Sequence, residues 1–215
     1  LIDQNVFSIR LVDAILIITS GVLTLLALIP YFYALDSDET SIVIPIFQTI
    51  PVFGFVYAYF VLGETLTTTQ IFASLLVITG AIAISLDLGS TLPKIKGKVL
   101  TYMLLASAIL AGVDLLFKFV AINAGFWTGL FWYFIGYVLF SAVVLITIKS
   151  YRNQFLEILR KNRIPVIGLN AFNETLNLIA RSSFGYATLL APLALVQVVN
   201  GFQPFFVFLY GVMKK

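Results

Sequence analysis

The sequence predicts an all-α fold, a polytopic membrane helix bundle, and three observations carry that expectation. Of the 215 residues 60% are apolar and only 11% are charged, whereas a soluble domain carries about a quarter charged residues. Such a chain lacks the polar surface to coat a globule in water, and a bilayer is its natural solvent. Seven stretches reach the roughly 20 mainly apolar residues that a spanning helix needs. These runs are too long for barrel strands, and they do not alternate in polarity.

The spans are expected at about 13–35, 41–62, 70–88, 99–122, 125–148, 164–186 and 188–213. Short polar connections separate the first three. The segment 89–98, with Gly89, Pro93 and three lysines, reads as a boundary between two halves. Between the fifth and sixth spans, residues 151–163 place Tyr151, Phe155, Ile158 and Leu159 on one helical face, with Arg152, Glu157, Arg160 and Lys161 elsewhere. That pattern predicts a short amphipathic helix lying in the membrane interface. The first residue is Leu1 rather than Met, and Lys214 and Lys215 follow directly on an apolar run, so both ends are expected to be truncations.

Lys94, Lys96, Lys98, Lys149, Arg152, Arg160, Lys161, Arg163, Lys214 and Lys215 all fall on one side of the expected topology. Arg10 falls on the other, and Lys118 and Arg181 lie within spans. The positive-inside rule then places the third-to-fourth and fifth-to-sixth loops in the cytoplasm.

An internal repeat is visible at an offset of 153 residues. Tyr33 and Ala34 match Tyr186 and Ala187, while Pro51, Phe53, Phe55 and Tyr57 match Pro204, Phe206, Phe208 and Tyr210. The first span thus corresponds to the sixth, and the second to the seventh. Five crossings separate equivalents, so they run in opposite directions, as in inverted-repeat transporters. Completing both repeats takes ten helices. Residues 1–88 are then the last three helices of repeat 1, 89–98 the inter-repeat loop, and 99–215 the first four helices of repeat 2.

Residues 51–64 (PVFGFVYAYFVLGE), with Ala34, Pro45 and the small-residue span 70–80 (QIFASLLVITG), resemble the EamA repeat of the drug/metabolite transporter superfamily. The resemblance covers nearly the whole chain and is sharpest at Leu62-Gly63-Glu64. It implies seven visible spans of a ten-helix inverted-repeat transporter that moves small metabolites. The sequence departs from the family pattern at Ala73, where Gly is frequent, and at Met213-Lys214-Lys215, where a Gly-Glu turn is expected. The charge distribution also opposes the family's usual orientation, with both termini cytoplasmic.

In the sixth span Asn170, Asn173, Glu174, Asn177 and Arg181 fall within about 100° on a helical wheel. A polar stripe in a membrane is expected to face protein or water, because a carboxylate in lipid costs several kcal/mol. Glu174, near the midplane, suits contact with a cationic or hydroxyl-bearing substrate, or reversible protonation; a structural hydrogen-bond network is the other reading. Asp114 and Lys118 are spaced for an intrahelical ion pair, with a gating or substrate role as the alternative. Pro45, Pro51 and Pro204 are expected to break the second and seventh spans. Gln48, Gln197 and Asn200 lie beside those breaks as candidate substrate contacts. Trp132 is a candidate stacking residue, although interface anchoring is the commoner use of such a tryptophan. Ala73 and Gly80 read as positions of close helix packing, and Glu64 as a structural residue at the membrane surface.

The chain has no cysteine and no histidine. This removes disulfides, the usual zinc and haem sites, and Cys or His nucleophile–base pairs. Paired carboxylates, phosphate loops and Gly-x-Ser-x-Gly elbows are absent from the sequence, so an enzyme is not expected, nor a cofactor or metal. The basic residues sit at membrane surfaces, so nucleic acid is not an expected partner. The expected partners are a small-molecule substrate and the lipid bilayer, and the expected location is the plasma (inner) membrane of a prokaryotic cell. A transporter working by alternating access fits best. A seven-helix receptor or a non-transporting membrane scaffold is the alternative, although the seventh span carries lysines only at its end and no Asp-Arg-Tyr motif occurs.

Overall fold

The computed structural model describes residues 6–37, 40–85, 97–161 and 163–202, with positions 205, 206, 209 and 213 beyond them. Helices α1 (Leu11–Ser37), α2 (Thr40–Ile46), α3 (Ile50–Leu62), α4 (Thr68–Ser85), α5 (Gly97–Ala124) and α6 (Phe126–Thr147) follow one another. Next come α7 (Lys149–Lys161), α8 (Arg163–Leu190) and α9 (Leu193–Val199). Two 3-10 turns, Phe47–Thr49 and Asn200–Phe202, follow α2 and α9. Among the described residues there is no strand.

Among the described residues, four segments have the length and composition to cross a membrane: Leu11–Ser37, Val43–Leu62, Gly97–Ala124 and Phe126–Thr147. These correspond to the first, second, fourth and fifth of the seven expected spans. The third expected span forms α4, of 18 residues, and most of the seventh beyond Phe202 lies outside the described residues. The sixth forms a helix of 28 residues, roughly 42 Å long at 1.5 Å per residue. Its length suffices, but its polar stripe dilutes its apolar character.

The span Val43–Leu62 is interrupted between its two prolines. Pro51 has no N–H to give to the carbonyl of Phe47, four residues earlier. Ile50 N–H bonds to that carbonyl instead, which tightens the chain locally into a 3-10 turn. Thr49 Oγ1 donates to the Ile46 carbonyl at 2.7 Å.

Helix α5 is the central element, with α1, α3, α6 and α8 around it. At one end Ile17, Val113, Phe117, Val120, Ala121, Leu130 and Tyr133 form a core; at the other, Ala34, Val43, Ile46, Val99 and Met103 do. Helices α1 and α6 touch at paired glycines. A Cβ on Gly21 would stand 2.2 Å from the Tyr133 carbonyl oxygen, and one on Gly136 2.2 Å from that of Ile18. Ser20 Oγ donates to the Val113 carbonyl at 3.1 Å, pinning α1 to α5. Outer faces are apolar, with Phe60, Leu76 and Ile146 all more than 70% exposed, as a lipid-facing surface requires.

The amphipathic segment forms α7, none of whose residues is buried. Tyr151, Phe155 and Ile158 are exposed on it. The close packing expected at Ala73 and Gly80 is not found among the described residues. Both are exposed, and a Cβ on Gly80 would meet nothing within 4 Å. Small residues permit a close neighbour, but here α4 turns them outward.

The secondary structure itself recurs. Shifting α2 (40–46) by 153 residues gives 193–199, the span of α9, and shifting the turn 47–49 gives 200–202, the second turn. Shifting α1 (11–37) gives 164–190, within one residue of α8.

Candidate functional site

A network of charged and polar side chains lies where α5, α8 and α9 meet. Asp114 of α5 is 9% exposed, and both of its oxygens are occupied. Arg181 Nη1 of α8 donates to Oδ1 at 2.7 Å, and Gln197 Nε2 of α9 donates to Oδ2 at 3.0 Å. The guanidinium carbon of Arg181 stands 4.4 Å from the Tyr133 ring centroid and 5.1 Å from that of Phe117. Aromatic faces stabilise a cation at such distances. Gln197 reaches this position because α3 offers a glycine: a Cβ on Gly54 would stand 1.7 Å from Gln197 Oε1.

One turn along α5, Lys118 is 4% exposed and does not pair with Asp114. The intrahelical pair expected from their spacing gives way to tertiary partners. Lys118 Nζ forms an ion pair with Glu64 Oε1 and donates to the Ala191 carbonyl at 2.8 Å. Glu64 Oε2 in turn accepts the Leu193 N–H at 2.7 Å. The carbonyl of Ala191 follows the C-terminus of α8, and the N–H of Leu193 opens α9. Backbone groups at helix ends lack intrahelical partners. A cation belongs at the C-terminal end of the macrodipole and an anion at the N-terminal end, and the Lys118–Glu64 pair supplies each where it is favoured. Glu64 is therefore part of an interior clamp and not a residue resting at the surface. An isolated glutamate at a helix end gave no signal that it would find Lys118, 54 positions later.

The stripe of α8 is brought together only in part. Arg181 joins the interior network, but Asn170, Asn173, Glu174 and Asn177 are exposed among the described residues. Asn170 Nδ2 donates to the Val166 carbonyl of its own helix at 2.8 Å. Helical periodicity correctly put these residues on one face, but it did not say what stands opposite that face.

The remaining candidates are dispersed. Gln48 is buried in the first 3-10 turn, whereas Asn200, opening the second, is exposed. Pro45 lies inside α2 and Pro51 in the first turn of α3. Pro204 lies outside the described residues. Trp132 Nε1 donates to the Val6 carbonyl at 2.9 Å, so its indole N–H ties down the segment before α1. A groove of about 390 Å³ between α1, α3 and α5, lined by Leu23, Tyr57, Ala108, Ile109, Gly112 and Leu116, contains none of these polar groups. Tyr133, Phe117 and Gly54 were missed as participants. Nothing in local sequence marks an aromatic residue or a glycine as the neighbour of a distant polar group.

Residues 2–86 match the EamA-like transporter family. Over those residues the chain is similar to this family, which implies a membrane transporter without specifying its solute. Neither the curated proteins nor the solved structures compared with the chain include a match.

Proposed function

We propose that the protein moves a small metabolite or drug-like solute by alternating access, as part of a ten-helix transporter of two inverted five-helix repeats. In this reading residues 1–88 supply three helices of repeat 1, and residues 99–215 supply four of repeat 2. The observation that carries it is the return of helix, short helix and 3-10 turn at a constant spacing of 153 residues. A repeat that survives as secondary structure while its side chains diverge is what two halves of common design would leave.

The polar groups divide along the same line. Glu64 belongs to repeat 1, while Lys118 and Leu193 belong to repeat 2, so the clamp joins the halves. A cycle in which one half rocks against the other would make and break it. Lys118 and Asp114 then act in gating, with Arg181 as their partner at the interior end of the stripe. Asn170, Asn173, Glu174 and Asn177 would line the solute path, and Gln48, Gln197 and Asn200 would stand beside the two broken helices. Glu174, the carboxylate of the stripe, is the residue proposed to carry a coupled proton. The proposed location is the plasma (inner) membrane of a prokaryotic cell.

The test is solute uptake into proteoliposomes, screened over amino acids, amines, nucleosides, sugars and drug-like cations. Saturable uptake of one class, slowed by Glu64→Gln or Lys118→Met in protein that remains folded, is the expected result. Glu174→Gln should abolish the component driven by a pH gradient; undiminished pH-driven uptake removes the proton role. If no class is taken up but a ligand raises the thermal midpoint, the receptor alternative gains.

A further inference from the structure

Arg181 has more hydrogen-bonding capacity than its neighbours use. Its Nη1 is engaged by Asp114, but Nε and Nη2 are buried and have no partner among the described residues. Leaving a buried donor unpaired costs about 1–3 kcal/mol, more when it is charged, and native structures rarely retain two on one group without a reason. Asp114 does not relieve the deficit: its Oδ1 meets only Nη1, and its Oδ2 accepts from Gln197. The aromatic rings of Tyr133, Phe117 and Phe184 lie 4.4, 5.1 and 5.9 Å from the guanidinium carbon. They stabilise the cation as a whole and accept no directed bond at its edge.

The two vacant donors are chemically specific. Nε and Nη2 form one edge of the planar guanidinium, with parallel N–H bonds spaced to match the two oxygens of a carboxylate. The opposite side of the group is fixed by Asp114, so the edge is held in orientation before any ligand arrives. The Arg181 side chain remains 18% exposed, and on the preceding turns of α8 the exposed stripe of Asn177, Glu174, Asn173 and Asn170 leads away from it. Aromatic carbon from Tyr133, Phe117 and Phe184 surrounds the group and would suit the apolar body of a small organic acid.

We infer that the free edge of Arg181 is a binding site for the carboxylate of an organic solute, reached along the polar face of α8. This deepens the transport reading and rests on it. Binding requires the aromatic cover over Nε and Nη2 to open, which a rocking of α8 against α5 and α6 would do.

The experiment compares acids with their neutral amides. The purified protein in detergent is exposed to benzoate, benzamide, phenylacetate, phenylacetamide, phenethylamine and glucose at equal concentrations, and its thermal midpoint is read. The acids are expected to raise the midpoint while the amides do not. Arg181→Lys keeps a cation for Asp114 but has no second edge, and should weaken acid binding at least tenfold. Equal shifts from acid and amide overturn the site, as does an Arg181→Lys protein that binds the acids like the wild type. If that variant does not fold, the acid–amide comparison on the wild type decides alone. Stabilisation by phenethylamine or glucose but by neither acid defeats the carboxylate site and leaves the transporter reading standing. No shift with any compound, together with no uptake of any solute class, defeats both.

Discussion

Helices α1 and α8, 153 positions apart, have opposite surroundings. Their counterparts, 153 positions apart, are Ile17 and Asn170, Ser20 and Asn173, Gly21 and Glu174, Thr24 and Asn177. On α1 these positions form the face against α5 and α6: Ile17 and Ser20 are fully buried, and Thr24 Oγ1 lies 3.0 Å from Tyr133 Oη. On α8 the same four positions are polar and exposed. The same helical positions thus form a packed seam on α1 and an open polar face on α8. The lesson is that matching secondary structure does not fix what a helix face meets; its side chains and its neighbours do.

That contrast can be broken most severely where α8 is fastened. Asp114→Ala leaves Arg181 as a buried cation without its counter-charge, and should lower stability by about 3–5 kcal/mol, read by denaturant or thermal unfolding in detergent. A smaller penalty would mean that α8 is held mainly by its apolar contacts, such as that of Gly185 with Phe117.

The next test sets equivalent positions against each other. Gly21→Val forces a side chain against the Tyr133 carbonyl and should cost about 1–3 kcal/mol, as overpacked sites do. Glu174→Val, at the matching position of α8, should leave the unfolding midpoint in place while impairing solute uptake. If both variants are equally destabilised, the two faces are not distinguished as described. Ser20→Ala should cost about 1 kcal/mol through the lost bond to Val113, and Asn173→Ala should have no measurable effect on the same transition. Smallest of all, Lys161→Gln on α7 removes an exposed ion pair with Glu157 and should change stability by less than about 0.5 kcal/mol.

Much of the architecture could be read from the residues. Apolar runs located the helices, Pro51 located the break, and the one-sided apolar face of 151–163 foretold α7. The relation of α1 to α8 was visible in Tyr33-Ala34 and Tyr186-Ala187. Partner choice was not legible. The spacing of Asp114 and Lys118 favours a pair within α5, but each side chain finds a better-placed group on another helix. Glu64 gave no sign of reaching α9, because its partners are a lysine on α5 and a backbone N–H. For Asn170, Asn173, Glu174 and Asn177, periodicity fixed the shared face and left its neighbour undetermined. Apolar character supplies direction to a helix, whereas a polar contact depends on where several helices end up together.

The fit of Gln197 against Gly54 has a mechanical consequence. Its amide fills the place where a side chain on α3 would stand, while its nitrogen holds Asp114 on α5. A key seated in a slot resists sliding along the slot but permits pivoting about the seat. A piston-like displacement of α3 past α9 would first have to pull Gln197 away from Gly54.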